Sequence, residues 1–217
     1  KAQLDTVNGF TTGTVTALTV TEDRADLATL NGTTGISLAT TNITVTDQVD
    51  KSEADTINAY TTGQVVLNSA SMTVTELAAV EALNDTEMKF ADNGAISVSD
   101  AATLANANTI NNYTTGQVTL TSVDDTVANI TSIDGLTTTQ VSMAAATVSI
   151  TDTGASKTQV DTVNGFTTGT VTPTSISEDK ADITTLQGTT GISLATTNIT
   201  VTDQVNKSEA DTINGYT

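Results

Sequence analysis

The chain has 217 residues, 25 acidic against 7 basic, for a formal charge of −18 at neutral pH, and it contains no Cys, His or Trp. Such a surface repels phosphate, so nucleic acid and anionic lipid are excluded as partners. The missing Cys excludes a disulfide framework, thiol chemistry and Cys-based zinc sites. With aromatics at 3%, the interior must be filled by Val, Ile, Leu, Ala and Thr. No stretch approaches the roughly 20 apolar residues of a membrane helix.

The chain opens on the block DTVNGFTTG, Asp5 to Gly13, which returns as DTINAYTTG ending at Gly63, NTINNYTTG ending at Gly116 and DTVNGFTTG ending at Gly169. The closing glycines are 50, 53 and 53 residues apart, and at an offset of 156 the sequence nearly copies itself: KAQLDTVNGFTTGTVT from Lys1 against KTQVDTVNGFTTGTVT from Lys157. A period of this size is the mark of a repeat architecture. Each step divides into two similar halves, so 156 residues hold six coils of 26. Both ends of the sequence fall in mid-repeat, as expected for a segment of a longer chain.

Within a coil, Ile36-x-Leu38 and Ile43-x-Val45 are short alternating runs joined by the turn ATTN. The same pair of runs recurs at Met88-x-Phe90 and Ile96-x-Val98, and at Val141-x-Met143 and Val148-x-Ile150. β-Branched residues alternating with Thr or Ser predict strands with one buried face. The spacing then changes. Leu27 and Leu30, Val80 and Leu83, Ile130 and Ile133, and Ile183 and Leu186 lie three apart and predict one face of a short helix.

Each helix is expected to stop at a turn dipeptide in the left-handed conformation. These are Asn8-Gly9, Asn31-Gly32, Asn58-Ala59, Asn84-Asp85, Asn111-Asn112, Asp134-Gly135, Asn164-Gly165, Gln187-Gly188 and Asn214-Gly215. Phe10, Tyr60, Tyr113, Phe166 and Tyr216 follow the stop in alternate coils, which predicts a corner where a large plug alternates with a small one. The expected fold is a mainly β, right-handed parallel β-solenoid of about 26 residues per coil. Each coil would hold two short strands and one short helix, with coils paired into ~52-residue repeats along one continuous segment, residues 1–217.

One acid per coil stands near the predicted helix start: Glu22, Asp47, Glu76, Asp100, Asp124, Asp152, Glu178 and Asp203. Two roles fit such a column. Each acid can cap its own helix beside the positive end of the dipole. Stacked carboxylates can also hold calcium, the candidate cofactor, between rungs. Neither EF-hand spacing nor the glycine-rich calcium nonapeptide is present.

The second strand of most coils carries Thr or Ser at its outward positions, as at Thr19 and Thr21, Thr44 and Thr46, Thr73 and Thr75, or Thr200 and Thr202. Such an array resembles the ice-binding faces of antifreeze proteins, but Thr also simply suits a solvated sheet face. Catalysis is not expected. With no His, acid–base work falls to carboxylates or Lys, and the acids are spread along the chain. The adjacent pairs Glu22-Asp23 and Asp124-Asp125 read as solvated helix starts, and Lys51, Lys157 and Lys207 as exposed turn residues.

The segments VTDxxxxxxxDTIN, DTVANI and ISVSDAATL resemble the acidic Thr-rich arrays of giant cyanobacterial and other marine bacterial cell-surface adhesin-like proteins. The resemblance covers the whole chain and implies an extracellular structural or adhesive role, a stalk, filament or surface-layer element, often with calcium. Its implied partners are neighbouring repeats or identical chains. A phage or appendage fibre, an ice-binding solenoid and a carbohydrate-binding or cleaving β-helix are the alternatives.

Overall fold

The computed structural model of the protein describes residues 1–83, 86–136 and 140–217. One of the expected helix stops, Asn84-Asp85, lies outside them. Two compact units are present, one of Lys1–Ser97 with Ile110–Val118 and one of Val98–Thr109 with Thr119–Thr217.

Helices begin wherever a short polar residue stands three places before a residue whose N–H it can accept. Asp23 starts α2 (Arg24–Gly32), Asp50 starts α3 (Lys51–Asn58) and Thr73 starts α4 (Val74–Glu81). Thr126 starts α6 (Val127–Gly135), Ser156 starts α7 (Lys157–Asn164), Asp179 starts α8 (Lys180–Gly188) and Asn206 starts α9 (Lys207–Asn214). Asp50 with Glu53, Thr73 with Glu76, Ser156 with Gln159 and Asn206 with Glu209 close full capping boxes. Thr103 and Asn106 exchange the same pair of bonds at the start of α5 (Leu104–Asn111). By contrast, α1 (Ala2–Asn8) has no side-chain cap bond and no buried residue.

The i, i+3 pairs sit on the buried face as read from the spacing. Leu27 and Leu30, Ile130 and Ile133, and Ile183 and Leu186 are all fully buried. In α4 the buried pair is Leu77 and Val80, not Val80 and Leu83, because the Thr73 cap starts the helix one turn earlier. Thr73 and Thr75 therefore belong to a helix start and not to a strand face.

In the first unit β1 (Val15–Thr16) pairs with β3 (Ile36–Ser37), and β2 (Thr19–Glu22), β4 (Asn42–Val49) and β5 (Val65–Met72) run in that order, with β6 (Met88–Ala102) next. In the second unit β7 (Val118–Asp125), β9 (Thr147–Ile150) and β10 (Val171–Pro173) run in that order, and β8 (Val141–Ser142) also pairs with β7. A separate pair joins β11 (Ser175–Glu178) to β12 (Asn198–Val201). The pairings are parallel, with Thr19 opposite Asn42, Ile43 opposite Val65, Ser122 opposite Thr147 and Ser175 opposite Asn198. Parallel strands need a crossover between them, and the helices from α2 to α8 supply these.

The expected mainly β, right-handed β-solenoid with two short strands per coil is overturned. The chain is mixed α/β. Among the described residues, nine helices of seven to nine residues alternate with parallel strands of two to fifteen, and helical residues outnumber strand residues. The turns meant to split each coil do so only in places. Thr41 N–H closes on Leu38 O and Ala146 N–H on Met143 O, but at ADNGA the chain runs through as β6. There, small buried Ala91 and Gly94 let the backbone continue without a reversal.

The helix stops also differ from expectation. Gly9, Ala59, Gly165 and Gly215 follow their helices at φ −68, −68, −72 and −74°, in the right-handed region. The chain needs no left-handed residue there, because the next N–H reaches back to the last turn, Phe10 to Val7 O and Phe166 to Val163 O. Instead the Asn reaches forward: Asn8 Nδ2 donates to Thr34 O at 3.0 Å and Asn164 Nδ2 to Thr190 O at 3.2 Å. Two left-handed glycines lie at that contact, Gly35 at φ +90° and Gly191 at +89°.

The Thr-Thr-Gly of the repeated block is a clamp on the preceding repeat. Thr61 Oγ1 donates to Thr41 O, Thr114 Oγ1 to Gly94 O and Thr167 Oγ1 to Ala146 O, each at 2.6 Å. The second Thr donates through Oγ1 to Ala39 O, Asp92 O and Ala144 O in turn. The glycine is required by proximity: a Cβ at Gly116 would lie 2.2 Å from Gly94 O, and one at Gly169 2.2 Å from Ala146 O. The aromatic that precedes the clamp is half-buried at Tyr60, Tyr113, Phe166 and Tyr216 but 83% exposed at Phe10. Tyr113 stacks on the buried ring of Phe90, centroids 6.2 Å apart.

Gly116→Ala is expected to destabilise the chain by about 1–3 kcal/mol, since backbone must shift to admit the methyl group. Gly13→Ala meets only Thr11 Oγ1, at 3.4 Å, and should change stability by less than about 0.5 kcal/mol. Urea unfolding of both variants compares the two.

Candidate functional site

The recurring acids are the sharpest polar feature, and the fold gives most of them one task. Asp47 Oδ1 accepts the N–H of Arg24 at 2.9 Å, and Asp152 Oδ2 that of Val127 at 2.6 Å. Glu178 Oε1 accepts from Lys157 at 2.5 Å and Asp203 Oδ1 from Lys180 at 2.9 Å. Each of these donors is the first residue of a helix, and each acid stands within or just beyond a strand one repeat later. Glu22 meets the backbone nitrogen of Lys1, the position that Lys157 holds against Glu178.

These five acids therefore do not cap their own helices. Asp23, Asp50, Ser156, Asp179 and Asn206 do that from within their own repeat, while the acids serve the helix before. A helix start offers four N–H groups without intrahelical partners. The local cap takes the third, and the acid from the next repeat takes the first. Two repeats are thus tied by a charge-assisted bond at the positive end of a dipole.

Three of the eight acids stand elsewhere. Glu76 is the third residue of α4, and its carboxylate accepts from Thr73 N–H at 2.9 Å and Thr73 Oγ1 at 3.0 Å. Asp100 is half-buried near the end of β6. Asp124 is exposed on β7, and the bridging role in its repeat belongs to its neighbour Asp125, whose Oδ2 accepts from Leu104 N–H at 2.8 Å. The spacing contains the signal that identifies Asp125. Like Glu22 before Asp23 and Glu178 before Asp179, it immediately precedes the N-cap residue.

Burial pushes the Asp125 carboxyl up, but the N–H of Leu104, the side chain of Asn129 and the N–H of Thr126 outweigh it and hold the group below the ordinary carboxylate range. Its Oδ1 accepts from Asn129 Nδ2 at 2.7 Å and from Thr126 N–H at 2.8 Å.

Basic residues reinforce the same seams. Lys180 Nζ meets Glu209 at 2.7 Å, and Arg24 pairs with Glu53 at the equivalent place. The Lys180 side chain holds Glu209 below, and Glu209 holds Lys180 above, its ordinary range. Lys51, Lys157 and Lys207, expected as turn residues, are the first residues of their helices and pair with Asp55, Asp161 and Asp211 four residues on.

For calcium, the column would have to bring carboxylates together. Among the described residues no group of three or more acidic side chains converges as a ligand set, and the bridging acids each accept helix N–H groups singly. The outward Thr rows are also interrupted. Thr21 stands opposite Thr44, but the next member of that row is Val66. No helix among the described residues is long and apolar enough to cross a membrane.

Comparison of the chain with family models, with curated proteins and with solved structures returns no match.

Two outcomes follow from the bridging geometry. Asp125→Asn should cost about 1 kcal/mol near neutral pH, whereas Asp124→Asn should be silent. A carboxyl held low in the folded state adds stability above its unfolded value of about 3.9 and loses it as pH falls through the folded value. The Asp125→Asn chain should therefore show a shallower loss of stability on acidification, measured by urea unfolding between neutral and acid pH. Separately, EDTA should leave the melting temperature unchanged, because the acids already have donors; a drop of several degrees would show that a metal holds them.

Proposed function

We propose that the chain is a structural or adhesive repeat element displayed outside the cell, part of a stalk, filament or surface layer. The observation that carries this reading is how the recurring side chains are used. The Thr-Thr-Gly clamps, the forward-reaching Asn residues and most of the acids bond to the repeat before or after their own. A chain built so works by propagating one geometry from repeat to repeat, with neighbouring repeats or identical chains as its partners. The formal charge of −18 supports the same role, since like-charged surfaces resist lateral aggregation. The resemblance to acidic Thr-rich surface arrays points the same way.

Antibodies raised against the purified chain should label intact cells of the organism that makes it, and brief protease treatment of those cells should remove the label. Labelling that requires permeabilised cells would sink the reading.

A further inference from the structure

The repeat supplies its own control, because one corner departs from its counterparts at several neighbouring positions. The clamp bonds place Asp92 where Ala39 and Ala144 stand, since Thr62, Thr115 and Thr168 donate through Oγ1 to those carbonyls. In the strand run just before, Lys89 and Phe90 replace Ser37 and Leu38, or Ser142 and Met143. After the helix, Asn112 holds the position of Gly9, Ala59, Gly165 and Gly215. The counterparts are small or apolar, while the residues here are charged, amide or aromatic. Polar and aromatic departures gathered at one place on a repeated scaffold mark a site rather than the scaffold.

These residues meet within the first unit. Asp92, Asn111, Asn112 and Tyr113 line a dent of about 360 Å³, with the clamping Thr114 and Thr115 completing its wall. Phe90 is buried and backs the ring of Tyr113, with centroids 6.2 Å apart and planes 10° from parallel. Thr115 fixes the Asp92 backbone, its N–H and its Oγ1 both reaching the Asp92 carbonyl at 2.6 Å. The Asp92 carboxylate is exposed and stands 3.7 Å from Lys89 Nζ. Asn111 is unlike Asn8 and Asn164, which spend their amides on Thr34 O and Thr190 O. Its Oδ1 is a buried oxygen without a donor among the described residues. A buried acceptor left so is costly, and a donor brought by a ligand relieves it. A turn of the amide about its last bond carries that oxygen to the dent, a side-chain adjustment of the kind common on binding.

We propose that this corner binds the neutral pyranose ring of a sugar. The Tyr113 ring, held flat by Phe90, offers an apolar surface to the C–H face of the sugar. Sugar hydroxyls both donate and accept, and the surroundings supply both partners: Asp92 and Asn111 accept, while Lys89 and Asn112 donate. A cation is disfavoured, because Lys89 already stands beside the carboxylate. An anion is disfavoured by the formal charge of −18. The volume lies at the small end of ligand pockets, which suits a single ring. The site is independent of where the protein resides, so failure of the extracellular reading leaves it standing, and its own failure leaves that reading untouched.

The test is an NMR titration of the isotope-labelled intact chain with the methyl pyranosides of glucose, galactose, mannose and N-acetylglucosamine. The expected result is saturable shifts of the Asn111 and Asn112 side-chain amides with at least one of these sugars. The double variant Asp92→Ala with Asn112→Gly restores the residues of the other corners, so its melting temperature should be unchanged. Its affinity for the same sugar should fall roughly tenfold or more. Tyr113→Leu keeps an apolar plug but removes the flat ring, and should abolish the shifts. Absence of saturable shifts with every one of these sugars up to hundreds of millimolar would overturn the proposal. So would an affinity that the double variant leaves unchanged, which would place the sugar elsewhere on the chain.

Discussion

A short helix that starts beside a parallel strand leaves its first N–H groups pointing along the stack, where no residue of its own repeat can reach all of them. The recurring acid meets that constraint from the next repeat. This bond also makes the composition workable. A chain with 25 acidic residues and 7 basic ones would suffer from a regular column of carboxylates unless each was offset nearby. Placing them against helix N-termini supplies that offset from the backbone itself. The few Lys and Arg residues are left for pairs such as Lys180 with Glu209.

The Thr-Thr-Gly corner solves the matching problem at the other end of the helix. After the helix ends, the chain must come close enough to the preceding repeat to resume the parallel ladder. Gly63, Gly116 and Gly169 allow that approach, with no room for a Cβ against Thr41, Gly94 or Ala146. The two Thr hydroxyls then satisfy carbonyls that the close approach would otherwise leave dry. The nine-residue block is thus a joint between repeats, and the aromatic in it is a half-buried flank beside the joint. Phe90 under Tyr113 is the place where that flank becomes part of the core.

Much of the local structure was legible because it depends on neighbours three or four residues away. Leu27 with Leu30 and Ile183 with Leu186 announce a buried helical face directly. In α4 the buried pair lies one turn earlier than the spacing indicates, because Thr73 and Glu76 form a cap that the outward-Thr strand pattern also fits. The acid column is legible as a column, but its spacing points to Asp124 where Asp125 acts. Alternation along a strand does not say which of two adjacent acids faces the helix. The fold class is not legible in the pattern, because residues 88–102 carry two alternating runs with a turn-like stretch between them, and only packing shows that the stretch stays extended.

By itself the sequence determined the period, the alternation of apolar side chains, the helical pairs and the set of polar residues that return in every repeat. These follow from spacings within one turn or one strand. The tertiary structure decided which neighbour each polar residue serves: Asp47 to Arg24, Asn8 to Thr34, Thr114 to Gly94. Those partners lie 20 to 26 residues apart in the chain. They meet only when the strands take one particular register, and a shift of a single residue would turn each side chain to the opposite face.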